Sequence, residues 1–339
     1  MRLNTPSFWY KRHSIPADLL MPAAWLYGLA AAKLSGLAKP YRSTIPVICC
    51  GNIVAGGSGK TPAAIALMAL VKSQEAAKNP CFLTRGYGGR AKETPLYVED
   101  HHTAKDVGDE AMLLRRHAPV IISPDRGKGA KLAEERGFDL IIMDDGLQNG
   151  TLQRDVSFLV IDGATGFGNG RLLPAGPLRE PPETGIKKIQ ACLIIGDDQA
   201  GVRQKIPGDI PVFHAAITRE PLWIADTKSR YIAFCGLGHP QKFKKTLDQQ
   251  HIKTIEFISY PDHYGFSASD LDTLAAKARH KKARLITTEK DAVRIPEQFV
   301  KENPVDILPV IMVWRDPQKI AAFLKKIVKD TRRHKNAQE

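Results

Sequence analysis

Cysteine is scarce in this 339-residue chain, with Cys49, Cys50, Cys81, Cys192 and Cys235 making up the whole complement. An odd number without a CxxC pair or nearby paired histidines excludes a disulfide framework and a zinc site. Cys49 and Cys50 sit in an apolar run, where free thiols act as small hydrophobes in a reducing compartment. Long apolar runs are also lacking. The N-terminal run Leu19 to Ala32 has fourteen residues without a charge, and a bilayer span needs about 20. Internal repeats and low-complexity segments are absent, and 43% hydrophobic with 25% charged residues excludes disorder over the whole chain.

Acidic residues are in deficit, leaving a formal net charge of +13. Much of the excess sits at the two ends. Arg2, Lys11, Arg12, Lys33, Lys39 and Arg42 face only Asp18 at one end, and Lys325, Lys326, Lys329, Arg332, Arg333 and Lys335 face Asp330 and Glu339 at the other. Such ends suit an anionic partner, either membrane headgroups or nucleic acid. The run LLMPAAWLYGLAAA is apolar all round a helix, so burial in protein or in lipid is expected. Basic flanks and the interfacial residue types Trp9, Tyr10, Trp25 and Tyr27 favour a helix lying in a membrane surface. A core helix is the bland alternative. A secretory signal fits poorly, because a long polar stretch comes first.

Apolar runs at 45–50, 81–84, 119–123, 138–143 and 156–161 alternate with helical stretches such as 61–73, 109–117 and 127–136. This alternation predicts a doubly wound, mostly parallel α/β sheet with ligands at the carboxyl ends of its strands. The proline-rich LLPAGPLREPPE at 172–183 reads as a border. Beyond it the pattern resumes at 191–196, 231–238, 254–259, 284–293 and 306–314 as a smaller α/β lobe. The expected division is therefore 1–44, a membrane-associated segment; 45–183, a phosphate-loop domain; 184–320, a smaller lobe; and 321–339, a basic tail.

The chemistry begins at GNIVAGGSGKTP, residues 51–62, between an expected strand and an expected helix. Backbone N–H groups of such a loop surround phosphate oxygens, and the helix start adds its positive dipole end. Ala55, Gly56, Gly57, Ser58, Gly59, Lys60, Thr61 and Pro62 are the candidate nucleotide contacts. Lys60 can reach the β and γ phosphates, and the Thr61 hydroxyl can ligate Mg²⁺. Val54 stands where a GxxxxGK[ST] loop has its first glycine. The spacing agrees better with KGGxGKT loops, although Ala55 replaces their additional lysine. FDLIIMDDGLQ ends a strand in Asp144 and Asp145, where a carboxylate can hold the metal that bridges a transferring phosphate. The same pair could instead cap a turn. Gln148 could orient a water or a metal ligand.

These blocks, with TRGYGG (84–89), VGDEAMLL (107–114), NGRLLPAGPLRE (169–180), FCGLGHPQKF (234–243), PDHYGFSASDL (261–271) and TTEKDAVR (287–294), resemble in order those of the tetraacyldisaccharide 4'-kinases. The resemblance implies ATP-dependent transfer of a phosphoryl group to the 4'-hydroxyl of a tetraacylated glucosamine disaccharide 1-phosphate. It also implies a bilobed protein on the cytoplasmic face of the inner membrane, with its N-terminal helix in lipid. Asp109 matches the family's proposed base and His263 its partner, a carboxylate and imidazole able to share the hydroxyl proton. Without the resemblance, Asp109 reads as an N-cap and His263 as a turn residue. Glu110, Asp144 and Asp145 are further candidate metal or substrate ligands. Arg85, Arg126, Arg171 and Arg179, the last beside Glu180, are candidates for phosphate recognition.

TTEKD does not form the guanine-reading NKxD motif, which favours ATP. The main rival is a membrane-associated nucleotide-switch ATPase or GTPase. A nucleic-acid-dependent ATPase is weaker, and neither nucleic acid nor an obligate protein partner is expected.

Overall fold

Strand order in this protein departs from chain order in a way that joins distant segments. The computed structural model describes residues 6–35, 39–91, 93–221, 223, 226 and 228–336. Its strands are β1 (Val47–Gly51), β2 (Pro80–Thr84), β3 (Leu96–Tyr97), β4 (Val120–Ile122), β5 (Leu140–Asp144), β6 (Val156–Asp162), β7 (Ala191–Ile195), β8 (Val212–Arg219), β9 (Tyr231–Cys235), β10 (Thr254–Ser259), β11 (Arg284–Thr288), β12 (Val305–Leu308) and β13 (Val310–Trp314). Nine form one sheet in the order β13-β8-β7-β6-β1-β5-β2-β4-β3, and four form a second in the order β10-β9-β11-β12. In the large sheet only the edges β3 and β13 run antiparallel to their neighbours. The central strands β1, β2, β5 and β7 are buried at every position, as sequences such as VICCG and LIIMD require when helices cover both faces. The expected α/β class and second lobe are both present.

The expected boundary at 183 is not where the sheets divide. β7, β8 and β13 extend the large sheet, and the four-stranded sheet takes only residues 231–308. The apolar run at 306–314 reads as one strand but is two. Pro309 breaks it, because proline has no N–H to continue a ladder, and β12 and β13 then enter different sheets. At the two crossings between lobes, Glu220 N donates to Pro309 O at 3.1 Å. The run 284–293 also divides. β11 ends at Thr288, whose side chain accepts from Asp291 N and starts a short helix, Glu289–Ala292.

Residues 321–336 do not form a solvated tail. Helix Pro317–Asn336 places Ile320, Leu324 and Val328 at i, i+4 and i+8, and all three are buried in the core shared with Val71, Phe158 and Phe213. One apolar stripe thus packs while Lys319, Lys325, Lys326, Lys329 and Arg333 face outward. Near its end Lys335 Nζ donates to Ser43 O (2.6 Å) and Ile45 O (2.9 Å), beside Asp155 (3.0 Å), fastening this helix to the entry of β1. Leu324→Ala should therefore cost about 3 kcal/mol in urea denaturation; a loss below about 0.5 kcal/mol, the range of ordinary surface changes, would contradict a core role.

At the other end, helices Ile15–Leu19 and Met21–Ser35 rest on the proline-rich loop by few contacts. Ala17 and Ala24 are buried, whereas Leu19 is 75% exposed, Trp25 66% and Leu26 61%. A core helix is thereby excluded for this segment, part of which, residues 36–38, lies outside those described. The close approach is at Gly28, where a Cβ would come within 2.8 Å of Leu172 Cδ1. Asp18 pairs with Arg171 at 2.6 Å, and Trp9 Nε1 donates to Pro174 O at 3.0 Å. Among the described residues no helix is long and apolar enough to cross a membrane.

Candidate active site

The loop after β1 is shaped by its glycines. Gly59 has φ +84° and starts helix Lys60–Ser73, and a Cβ there would lie 2.5 Å from Ile195 Cδ1. Both the left-handed backbone and the crowding demand glycine. Asn52 Nδ2 donates to Ser58 Oγ (2.5 Å), closing the loop across its base. Pro62 falls in the first turn, where no intrahelical donor is needed. The N–H of Ala55 donates to Pro177 O at 2.7 Å, so that amide fastens the proline-rich loop instead of pointing into the phosphate cradle.

β5 lies directly beside β1, with Asp144 in register with Cys50. Thr61 Oγ1 donates to Asp144 Oδ2 at 2.8 Å, and the other oxygen, Oδ1, is buried with no partner. Burial, reinforced by the Asp145 charge, lifts the Asp144 carboxyl to about 7 despite Lys60 and Thr61. An orphaned carboxylate oxygen beside a hydroxyl fits a hard divalent cation. Asp145 behaves differently. Burial would raise it, but Lys60 (3.7 Å) and Arg179 (3.2 Å) together hold it below the usual carboxylate range. Burial pulls the Lys60 ammonium down, with Asp145 acting against it.

Gln148 is engaged as a strut. Its Nε2 donates to Asn52 O (2.7 Å) and Glu180 (2.9 Å), and its Oε1 accepts from Arg179 (3.4 Å). Glu180 also pairs with Lys188. Arg179, Glu180, Gln148 and Asp145 thus form one network behind the loop. Arg126 is buried at the start of helix Arg126–Glu135, its Nη1 donating to Ser123 O while Nε has no partner. Burial lowers it to about 10, and Asp145 pulls the other way. Arg85 is exposed just beyond β2. Arg171 is not brought to this cluster; it pairs with Asp18.

Asp109 and His263, separated by 154 positions, meet between the lobes with Oδ2 and Nδ1 2.8 Å apart. The N-cap of helix Asp109–Arg115 is Gly108, so Asp109 is not a cap. Gly108 has φ +92°, and a Cβ there would strike Tyr87 O at 2.4 Å. Tyr87 in turn sets its ring edge-to-face on His263, 5.6 Å between centroids. His263 itself sits at φ +54°, a left-handed backbone that costs of order 1 kcal/mol or more and concentrates at functional positions. Burial would raise the Asp109 carboxyl, but His263, Arg294 and Lys290 hold it lower than usual.

Three residues of this cluster carry no role in the sequence reading. Lys290 Nζ stands 3.1 Å from both His263 Nε2 and Glu110 Oε1, and Arg294 Nε lies 3.3 Å from Asp109. Fully buried Asp291 holds Arg294 at 2.8 Å and accepts from Gly236 N at 2.9 Å. Lys290 and Glu110 thus sit at Nε2 of His263, on the side of the ring away from the Nδ1 that meets Asp109. The usable signal was TTEKDAVR itself, which sets Lys290 and Arg294 four apart on one face of a turn after a strand. Glu110 is tied through Oε1 to Lys290 and the dyad, while its Oε2 is buried with no partner and its charge bears on Asp144.

The chain matches the sequence profile of the family described as tetraacyldisaccharide-1-P 4'-kinase, LpxK, across residues 16–329. It belongs to the tetraacyldisaccharide 4'-kinase family. The kinase of this name from Paramagnetospirillum magneticum is 41% identical over 96% of this chain and 99% of its own length. That from Parvibaculum lavamentivorans is 45% identical over 86% of this chain and 87% of its own. The crystal structure of LpxK from Aquifex aeolicus in complex with ATP superposes with a TM-score of 0.74 at 29% identity, covering 92% of this chain and 99% of that one. Membership in the family makes the chain a lipid A biosynthesis kinase, as the resemblance implied, and displaces the nucleotide-switch alternative.

Proposed function

We propose that this chain moves the γ-phosphoryl group of ATP to the 4'-hydroxyl of a tetraacylated glucosamine disaccharide 1-phosphate, at a membrane surface on the ATP-containing, cytoplasmic side. The observation that carries the reading is the 2.8 Å Asp109–His263 pair facing a glycine loop whose Thr61 and Asp144 form a cation-ready couple. The loop amides and Lys60 hold the triphosphate. Thr61 and Asp144 would hold Mg²⁺, which when bound would offset the negative charge of the transferring phosphate. As the 4'-oxygen bonds to phosphorus and the β–γ bridging bond breaks, the Asp109–His263 pair takes the hydroxyl proton. Lys290 and Arg294 fix that pair in position, and lobe contact keeps water from competing for the phosphoryl group. Arg85, Arg126 and Arg179 are the candidate contacts for phosphate groups of the two substrates.

The aromatic and aliphatic face at Ile15, Leu19, Trp25, Leu26 and Leu29 supports docking to lipid, with Lys11, Arg12 and Arg42 meeting anionic headgroups. These side chains are solvent-exposed, so charging them leaves the fold intact. Trp25→Glu with Leu26→Glu should move most of the protein from the pellet to the supernatant when it is spun with anionic vesicles; unchanged sedimentation would remove the anchor. For the reaction, label from γ-labelled ATP should appear in an organic-extractable disaccharide lipid. Purified folded protein that releases only free phosphate would sink the kinase reading.

A further inference from the structure

Position 55 of the phosphate loop is alanine where KGGxGKT loops have a second lysine. A different cation stands at the same loop. Lys242 lies in the first turn of helix Pro240–Gln249 of the smaller lobe and reaches across to the larger one. Its Nζ is 3.3 Å from Gly57 O and pairs with Asp162 at the end of β6. His239, just before that helix, covers the same spot, since a Cβ on Gly57 would lie 3.8 Å from its Cδ2. His239 Nε2 is also 3.5 Å from the Tyr10 hydroxyl.

Asp162 and Lys242 are held unequally. Asp162 is pinned, because its Oδ1 accepts from Ala164 N (3.0 Å) and Thr165 N (3.2 Å), leaving Oδ2 to the lysine. The Lys242 side chain is half exposed and has a flexible four-carbon stem. A triphosphate in the loop offers more negative charge at the rim than one carboxylate and one carbonyl do, and charge-assisted bonds to phosphate are the stronger kind.

We propose that Lys242 supplies the cation that Ala55 does not: a phosphate-binding residue from the smaller lobe, parked on Asp162 and Gly57 until a nucleoside triphosphate takes it over. The inference rests on the nucleotide reading above and assigns to it a contact that spans the lobes. Loaded nucleotide would then draw helix Pro240–Gln249 onto the loop, and with it the lobe that carries His263.

Calorimetric titration of the full chain with Mg-ATP and with AMP separates this from a plain latch between lobes. Lys242→Ala should weaken Mg-ATP binding by roughly tenfold to a hundredfold, the range of one bond to a charged group, while AMP binding stays near wild type and Lys242→Arg recovers most of the loss. Asp162→Asn keeps the turn at 162–165 but removes the competing charge, so it should bind Mg-ATP at least as tightly as wild type. Wild-type Mg-ATP affinity in Lys242→Ala overturns the proposal. So does weakening of Asp162→Asn in parallel with it, since a latch loses the same contact from either side. A wild-type protein that binds no Mg-ATP would instead remove the nucleotide reading itself.

Discussion

Asp109→Asn should lower kcat by about a thousandfold, within the usual range for a general-base group, while changing the KM for ATP by less than threefold. The substitution keeps the shape of the side chain and can still hydrogen-bond His263. What it removes is the negative charge that favours a protonated imidazole as the hydroxyl gives up its proton. It also leaves Arg294 with Asp291 at 2.8 Å, so the smaller lobe keeps its internal brace. A folding-neutral variant with normal kcat would show that the pair is structural. A second readout follows from ionisation. The Asp109 carboxyl titrates below its ordinary value of about 3.9 because His263, Arg294 and Lys290 outweigh burial. Stability from a depressed carboxyl is fully present above the unfolded value and is lost as pH falls through the folded one. The stability advantage of wild type over Asp109→Asn should therefore shrink as pH falls below about 4; no loss between about pH 4 and 2 would mean the charge is not held as described.

The P-loop half of the site was legible because its determinants are local. Glycines, Lys60 and Thr61 are consecutive, and the strand and helix on either side can be read from their own composition. Asp144 was legible for the same reason, at the end of a five-residue apolar strand. The dyad was not, since nothing in the stretch that separates Asp109 from His263 by 154 positions encodes their meeting; only the likeness to a family supplied it. The division of the chain misled for a related physical reason. An antiparallel return such as β13 beside β8 depends on pairings over some ninety residues, and only the break at Pro309 leaves a local trace. The stripe of Ile320, Leu324 and Val328 was readable at helical spacing, but the density of lysine and arginine around it masked the pattern.

The lobes are thus joined by two kinds of contact that act on the same reaction. One brings His263 to Asp109, and the other brings Lys242 to the phosphate loop. Between them stands Lys60, 3.7 Å from Asp145, whose charge is shared with Arg179. Lys60→Ala should reduce kcat by about a hundredfold to a thousandfold, the loss expected when one donor aimed at developing charge is removed, and should also raise the KM for ATP. Lys60→Arg should rescue little, because a planar fork cannot follow a compact ammonium into a loop so close-packed that a Cβ on Gly59 would lie 2.5 Å from Ile195 Cδ1. The fold should survive in both, since Asp145 keeps Arg179 and the loop keeps its Asn52–Ser58 bond; unaltered near-ultraviolet circular dichroism checks this. Loss of activity with unfolding would make Lys60 a structural residue, and wild-type turnover would separate the loop from catalysis. With Lys60 gone, Arg179 and Arg126 would still balance Asp145, but Asp144 would lose the ammonium that opposes its upward shift, and its proton would be harder to displace by a cation. Raising Mg²⁺ should therefore recover little of the lost rate.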